Sequence, residues 1–447
     1  MASDATARPD EFSPGFILCY DHGMNVERLI IHASQLLTLP SHDCGPQRGA
    51  RLGDLGLIED GAVAVAGGSI VDRGRTSDLI QKYPAAPPLD AGGRVVMPGF
   101  VDPHTHVVFA GDRAHEFEQR IAGATYLAIM RAGGGIRSTV RATRAASLEQ
   151  LIEQTRTRLD QMLLYGTTTA EAKTGYGLET ATELKMLAAI AQLDQSHAIE
   201  LAPTFLGAHA IPAEYTGRAE AYTDLVVTEM LPAVSSFILH PSSFFCDVFC
   251  EDGAFNLAQT RRILERAKEL GFALKLHVDE FEPLHGTRLG VELGATSVDH
   301  VVTTPPDEVA LLGKSATLAV SLPGTPFGLA QRAYTPAPAI LAAGGALALA
   351  TDLNPGTTWN ESMQFIIALA CRYLKLTQGQ ALAAATINAA HAIGRGATIG
   401  SIEPGKQADL LILSVSNYRA IGYRYGTNLV DTVIKRGHIV VENGRLT

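Results

Sequence analysis

Positive charge is scarce in this chain of 447 residues: 36 Lys and Arg stand against 46 Asp and Glu, a formal net charge of −10. No Lys/Arg stripe is clustered enough to neutralise a phosphate backbone, so no nucleic-acid partner is expected. Cysteine is rare as well. Five residues (Cys19, Cys44, Cys246, Cys250, Cys371) are an odd number in a large chain, which argues against a disulfide framework and for a reducing, cytoplasmic setting. Cys246 and Cys250, in Phe-Cys-Asp-Val-Phe-Cys, lack the second pair a metal site would need and are expected to line a buried strand. Long apolar runs are missing. The longest, Ala339 to Ala350, is broken by Gly344-Gly345 and falls short of the roughly 20 residues a membrane span needs. The first 20 residues hold no basic segment leading into an apolar core, so no secretory signal is expected and residues 1–27 read as a tail.

What is present is core-forming material: 46% hydrophobic against 18% charged residues, with a mean hydropathy of +0.11. That composition excludes wholesale disorder. The length suggests two units, one of them large. Near the start, Leu57 to Val71 places short strand-like pieces between Asp-Gly and Gly-Gly turns, a hairpin signature. Asp409-Leu-Leu-Ile-Leu, Val430-Asp-Thr-Val-Ile and His438-Ile-Val-Val-Glu-Asn-Gly repeat the pattern at the other end. Both termini are therefore expected to share one small composite β-sandwich domain, made of residues 28–94 and 399–447.

Between them, apolar runs alternate with helical stretches: Val95 to Val101, Thr167 to Ala172, Ile199 to Leu206, Phe244 to Phe249, Ala273 to Leu276, Thr296 to Val298, Ala316 to Ser321 and Ala346 to Ala350. Eight βα units over residues 95–398 predict an α/β fold, a distorted TIM (β/α)8 barrel, with its active site beyond the C-terminal ends of the strands. One helix is legible in detail. Leu257, Ile263, Leu264, Ala267 and Leu270 recur at helical spacing, Asn256 with Gln259 makes an N-terminal cap, and Gly271 can stop the helix. No Gly-x-Gly-x-x-Gly follows the first strand, which argues against a dinucleotide-binding sheet.

The first run leads into Met97-Pro-Gly-Phe-Val-Asp-Pro-His104-Thr-His106. Two imidazoles two apart on a strand project to the same side and can share a divalent metal. Two more strand ends supply His277, in Lys-Leu-His-Val-Asp-Glu280, and Asp352, in Ala-Thr-Asp-Leu-Asn-Pro-Gly356. Three nitrogens and a carboxylate at one barrel mouth suit zinc or iron, with room left for water. Such an ion lowers the pKa of its water and polarises a carbonyl. Glu280, three residues past His277, is placed to move a proton, although a carboxylate at a helix start is commonly just solvated.

The Pro-Gly-Phe-Val-Asp-Pro-His-Thr-His segment, His277, His300 in Val-Asp-His, Asp352 and the closing Ile399-Gly-Ser-Ile-Glu-Pro-Gly-Lys-Gln-Ala-Asp-Leu resemble the metal-dependent amidohydrolase superfamily over nearly the whole chain. Five segments are similar, more narrowly, to the imidazolonepropionase family of histidine degradation: Phe109-Ala-Gly-Asp-Arg113, Glu171-Ala-Lys-Thr-Gly-Tyr176-Gly-Leu, Thr204-Phe-Leu-Gly-Ala-His209-Ala-Ile-Pro, His277-Val-Asp-Glu280 and Thr351-Asp-Leu-Asn354-Pro-Gly356-Thr357. The resemblance implies one metal ion held by His104, His106, His277 and Asp352. It implies a pocket of Arg113, Tyr176, His209, Glu280, Asn354, Gly356 and Thr357, with His300 beside the reacting carbonyl.

The activity implied is hydrolysis of 4-imidazolone-5-propanoate to N-formimidoyl-L-glutamate. Catalysis would fall to Glu280, His300 and Asp352, while the planar fork of Arg113 would suit the propanoate carboxylate. Lys173 reads as structural or pocket-lining, because a carboxylated bridging lysine belongs with two metals. His115, His197, His240, His285 and His391 read as ordinary polar positions. Rival readings are a deaminase of an aminopurine or aminopyrimidine from the same superfamily, and a non-catalytic barrel scaffold. The expected partner is a small-molecule substrate, with no nucleic acid and no membrane; a homodimer is left open.

Overall fold

A computed structural model of the chain describes residues 25–124, 133–237 and 244–447. Most of the expected tail, with Cys19, and also His240 lie outside these residues. The end of that tail already belongs to the fold: Val26 is buried with Leu29 and Ile31, and the Glu27 amide donates to the Val65 carbonyl at 2.9 Å.

The eight predicted runs become eight parallel barrel strands, paired in chain order: Phe100–Asp102, Thr167–Lys173, Glu200–Ala208, Phe245–Cys250, Ala273–Val278, Ser297–His300, Leu318–Ser321 and Leu347–Leu349. The first and eighth are joined beyond their ends. Thr105 and Leu353 form a parallel bridge, and Asp102 accepts hydrogen bonds from the Thr351 amide at 3.0 Å and the Thr351 hydroxyl at 2.5 Å. Helices cover the outside, and among the described residues none is long and apolar enough to cross a membrane.

The helix Leu257–Glu269 shows how local sequence sets these units. Asn256 and Gln259 form a reciprocal capping box, each side chain accepting the other's amide at 3.0 to 3.1 Å. Such a cap is worth about 1 kcal/mol. Ile263, Leu264 and Ala267 are buried, whereas Leu257 is more than a third exposed because it sits in the first turn, clear of the barrel wall. Past the helix, Gly271 adopts φ 88°, a left-handed conformation that glycine takes without cost, and the fifth strand starts at once.

One expected strand proves to be two. Val95–Pro98 pairs with Arg28–Leu36 and, antiparallel, with Leu410–Leu413, so it belongs to a nine-stranded mixed sheet built from both ends of the chain. Only Phe100–Asp102 enters the barrel. The change of partner occurs at Gly99, whose amide still bonds the Asp409 carbonyl at 2.9 Å while that of Phe100 bonds Gly166 at 3.0 Å. A side chain at residue 99 would overlap Thr168, which accounts for the glycine, and the run is apolar on both sides of it, so patterning did not reveal the switch. Val63 and Val65 from one end of the mixed sheet share a buried cluster with Leu410, Ile412 and Ile434 from the other, so the sheet curls over its own core. The Cys246 and Cys250 side chains lie buried in the fourth barrel strand, as their pattern suggested.

Candidate active site

His104 and His106 lie beyond the first barrel strand rather than on it. What aims them is the junction with the eighth strand: the Asp352 amide donates to the His104 carbonyl at 3.1 Å and the His106 amide to the Leu353 carbonyl at 2.9 Å. His277 arrives from the fifth strand. His277 Nε2 is 3.3 Å from His106 Nε2, and both His104 Nε2 and His106 Nε2 are 3.6 Å from Asp352 Oδ1. A tetrahedral ion bound at about 2.0 to 2.1 Å requires donors roughly 3.3 to 3.4 Å apart. The three separations, 3.3 to 3.6 Å, come close to that spacing. His104 Nε2 is also buried without any hydrogen-bond partner, an expensive state for a polar atom unless a cation takes its lone pair. The residues present therefore fit a metal ion. Among the described residues one other ligand-type group gathers, His104 with Glu171 and Asp299, but the Lys173 and Lys275 ammonium groups lie within 4 Å of both carboxylates.

Glu280 stands at the same mouth, buried, with Oε2 3.6 Å from His300 Nε2. Its loop is gripped by Glu251, whose carboxylate accepts the amides of Glu280, Phe281 and Glu282 at 3.0 to 3.1 Å. Burial, with Asp352 and Glu251 nearby, pushes the Glu280 carboxyl well above the usual carboxylate range. Burial also raises Asp352 to about 6, against the opposing hydrogen bond from the Thr325 hydroxyl. His300 is held well below the ordinary imidazole value by burial and by His277. His300 (φ 76°) and Asp352 (φ 54°) both occupy the left-handed region, which non-glycine residues rarely adopt and which concentrates at functional sites.

His209 stacks on His106 with ring centroids 4.8 Å apart and planes at 16°, and its Nδ1 donates to the Gly175 carbonyl at 3.0 Å. Burial, then His277, lower its pKa to about 3, so the ring is neutral and Nε2 is the acceptor. The Tyr176 ring is 5.3 Å from that of His209 and 5.8 Å from that of His106. The Arg113 guanidinium packs against Gly356, while its Nε donates to Glu116 at 2.9 Å. The Asn354 side chain is taken up by its own turn: Oδ1 accepts the Gly356 and Thr357 amides at 2.8 Å, and Nδ2 donates to the Asp352 carbonyl at 2.8 Å. The four metal-ligand candidates thus gather with Tyr176, His209, Glu280 and His300 at this end of the barrel, where Arg113 packs on Gly356.

The sequence reading passed over Glu116, Glu171, Asp247, Glu251, Lys275 and Asp299. A signal was there: a charged residue inside an otherwise apolar strand is seldom fully buried unless paired. Glu171, Lys173, Asp247, Lys275 and Asp299 all fit that description. Glu116 and Glu251 lie outside the strands and carried no such mark.

The Amidohydrolase family model matches residues 95–440. An imidazolonepropionase from Herpetosiphon aurantiacus is 56% identical over 423 residues, covering 94% of this chain and 98% of the relative. One from Chloroflexus aggregans is 51% identical, covering 93% and 99%. The chain belongs to the imidazolonepropionase family of amidohydrolases. Solved structures agree on the fold: a zinc-bound adenosine deaminase from Xanthomonas campestris has a TM-score of 0.67 at 22% identity, covering 94% of each chain. The guanine deaminase of E. coli has a TM-score of 0.67 at 16% identity, covering 93% of this chain and 99% of its own. At such identities the likeness is one of fold alone. In this member of the imidazolonepropionase family three other described histidines have surroundings of their own. His197 meets Asp160 at 3.1 Å, His285 meets Glu308 at 2.6 Å, and the His115 side chain is exposed.

Proposed function

We infer that this site opens the ring of 4-imidazolone-5-propanoate by hydrolysis, giving N-formimidoyl-L-glutamate in histidine degradation. The observation that carries the reading is Glu280 beside His300 at the mouth where His104, His106 and His277 meet Asp352, with the Arg113 fork packed on Gly356. Water adds across the ring amide: hydroxide bonds to the carbonyl carbon, the C–N bond breaks and the proton passes to the departing nitrogen. One zinc or iron ion per chain, held by His104, His106, His277 and Asp352, would polarise the carbonyl and make hydroxide available at neutral pH.

Glu280 accepts the proton of the attacking water and returns it to the ring nitrogen, a shuttle for which a raised carboxyl pKa is suited. His300, kept neutral, offers an N–H to the oxygen that gains charge as the carbonyl becomes tetrahedral. Asp352 shares in activating the water. Arg113 binds the propanoate carboxylate and so converts binding into orientation. Tyr176 and His209 hydrogen-bond the heterocycle, and Asn354, Gly356 and Thr357 line the substrate pocket beside Arg113, which packs on Gly356. The test is incubation of metal-loaded protein with freshly made imidazolonepropanoate, followed by loss of ring absorbance. A panel of aminopurines and aminopyrimidines is assayed in parallel for ammonia. Ring loss without stoichiometric ammonia is expected; ammonia from a panel compound, with imidazolonepropanoate decaying only spontaneously, would move the assignment to the deaminases.

A further inference from the structure

Beneath the four-donor set the barrel interior holds five charged side chains that reach no solvent: Glu171 and Lys173 on the second strand, Asp247 on the fourth, Lys275 on the fifth and Asp299 on the sixth. Well-packed apolar residues would fill the same space at less cost, because desolvating ions is expensive even when they pair. The contacts indicate what the charges do. Asp247 Oδ2 lies 2.9 Å from His277 Nδ1 and accepts from Lys173 Nζ at 2.6 Å. Asp299 Oδ2 is 2.6 Å from His104 Nδ1 and has Lys275 at 3.6 Å and Lys173 at 3.9 Å. The backbone amide of Lys173 also donates to Thr105, between His104 and His106, at 3.0 Å, and Lys275 Nζ donates to the Pro103 carbonyl at 2.8 Å.

Taking His104, His106, His277 and Asp352 as metal ligands from the reading above, we propose that Lys173 is a positioning residue for them. Its ammonium pins Asp247 against His277 Nδ1 and thereby aims His277 Nε2 at the centre it shares with His104 and His106. The carboxylate partners of ligating imidazoles fix ring orientation and tautomer, and their loss commonly weakens metal binding. Here the carboxylate itself needs an anchor: Asp247 Oδ1 makes no hydrogen bond, His277 Nδ1 is 2.9 Å from Oδ2 without being aligned to donate to it, and Lys173 alone donates to Oδ2. A carbamate on Lys173 would face Glu171 at 2.9 Å and Asp247 at 2.6 Å with charge of the same sign, so the lysine serves as an ammonium.

The test is metal retention in the full-length chain, read with zinc and a chromophoric chelator, together with the visible absorption bands of cobalt(II)-loaded protein. Lys173→Met alone leaves three carboxylates against one ammonium and risks the fold. The paired Lys173→Met/Glu171→Gln change restores the original charge balance of the cluster while leaving Asp247 unanchored. We expect the paired variant to release zinc about ten- to a hundred-fold faster than wild type and to shift the cobalt bands, with circular dichroism of the metal-free forms matching. Unchanged zinc release and unchanged cobalt bands would overturn the proposal. Should the paired variant not fold, Asp247→Asn decides, because it keeps side-chain volume and removes the charge Lys173 holds; wild-type zinc release in that variant would equally overturn it. None of these readouts uses ring opening. A chain that holds zinc normally yet fails to open the ring would refute the hydrolase reading and leave this one standing.

Discussion

The Arg113 guanidinium occupies the space that a side chain on Gly356 would need, so the first and eighth strand-end loops meet through one cation and one missing methyl group. Glu116 holds the other side of Arg113 through Nε, leaving the outer edge of the fork for a carboxylate. Gly356→Ala should displace the guanidinium and raise KM for imidazolonepropanoate with little effect on kcat. Arg113→Met should lower kcat/KM by about one to two orders of magnitude, the value of a charge-assisted hydrogen bond of roughly 1.5 to 3 kcal/mol. Steady-state kinetics on both variants checks this, and a fall confined to kcat would contradict it.

Glu280→Gln separates proton transfer from binding. The amide keeps the shape of the carboxyl but cannot shuttle a proton, so kcat should drop by about two to four orders of magnitude while KM and bound metal stay near wild type. Near-normal kcat would remove Glu280 from the proton path.

Metal content follows from the donor set. Elemental analysis of active protein should find one ion per chain, and His104→Ala or His277→Ala should lose both ion and activity. Two tightly held ions, or added carboxylate mass on Lys173, would contradict the ammonium contacts that fill the space beside Asp299.

A pH-dependent contribution to stability is expected far from the barrel mouth. Glu403 accepts from the Ser41 hydroxyl at 2.6 Å and the Ser401 hydroxyl at 2.5 Å, with Lys406 Nζ at 3.1 Å. Burial opposes its ionisation, but these hydrogen bonds and Lys406 prevail and lower its pKa to about 2. A folded-state pKa below the unfolded value stabilises above the unfolded pKa of about 4.3, and the gain fades as pH falls through the folded value. Discounted for partial exposure, the contribution is about 1 to 2 kcal/mol at pH 7. Urea unfolding of Glu403→Gln should show that deficit at pH 7 and a shrinking one below about pH 4. A deficit independent of pH would assign the effect to packing.

Much of the molecule could be read in one dimension, because period and punctuation are local properties. Seven of the eight apolar runs, the Asn256–Gln259 cap and the turns of both termini each depend on residues within a few positions, and each takes the expected form. The residue types at the strand ends, His104, His106, His277, Glu280, His300 and Asp352, were legible for the same reason. What only the tertiary structure decided were partnerships across the chain. At Gly99 one apolar run is divided between two sheets, since hydrogen bonding to Asp409, 310 residues away, leaves no local trace. Lys173 reads as a structural or pocket-lining lysine until the fold brings Asp247 and Asp299 to it from other strands. Coulomb attraction falls with distance in space, to which distance along the sequence is no guide.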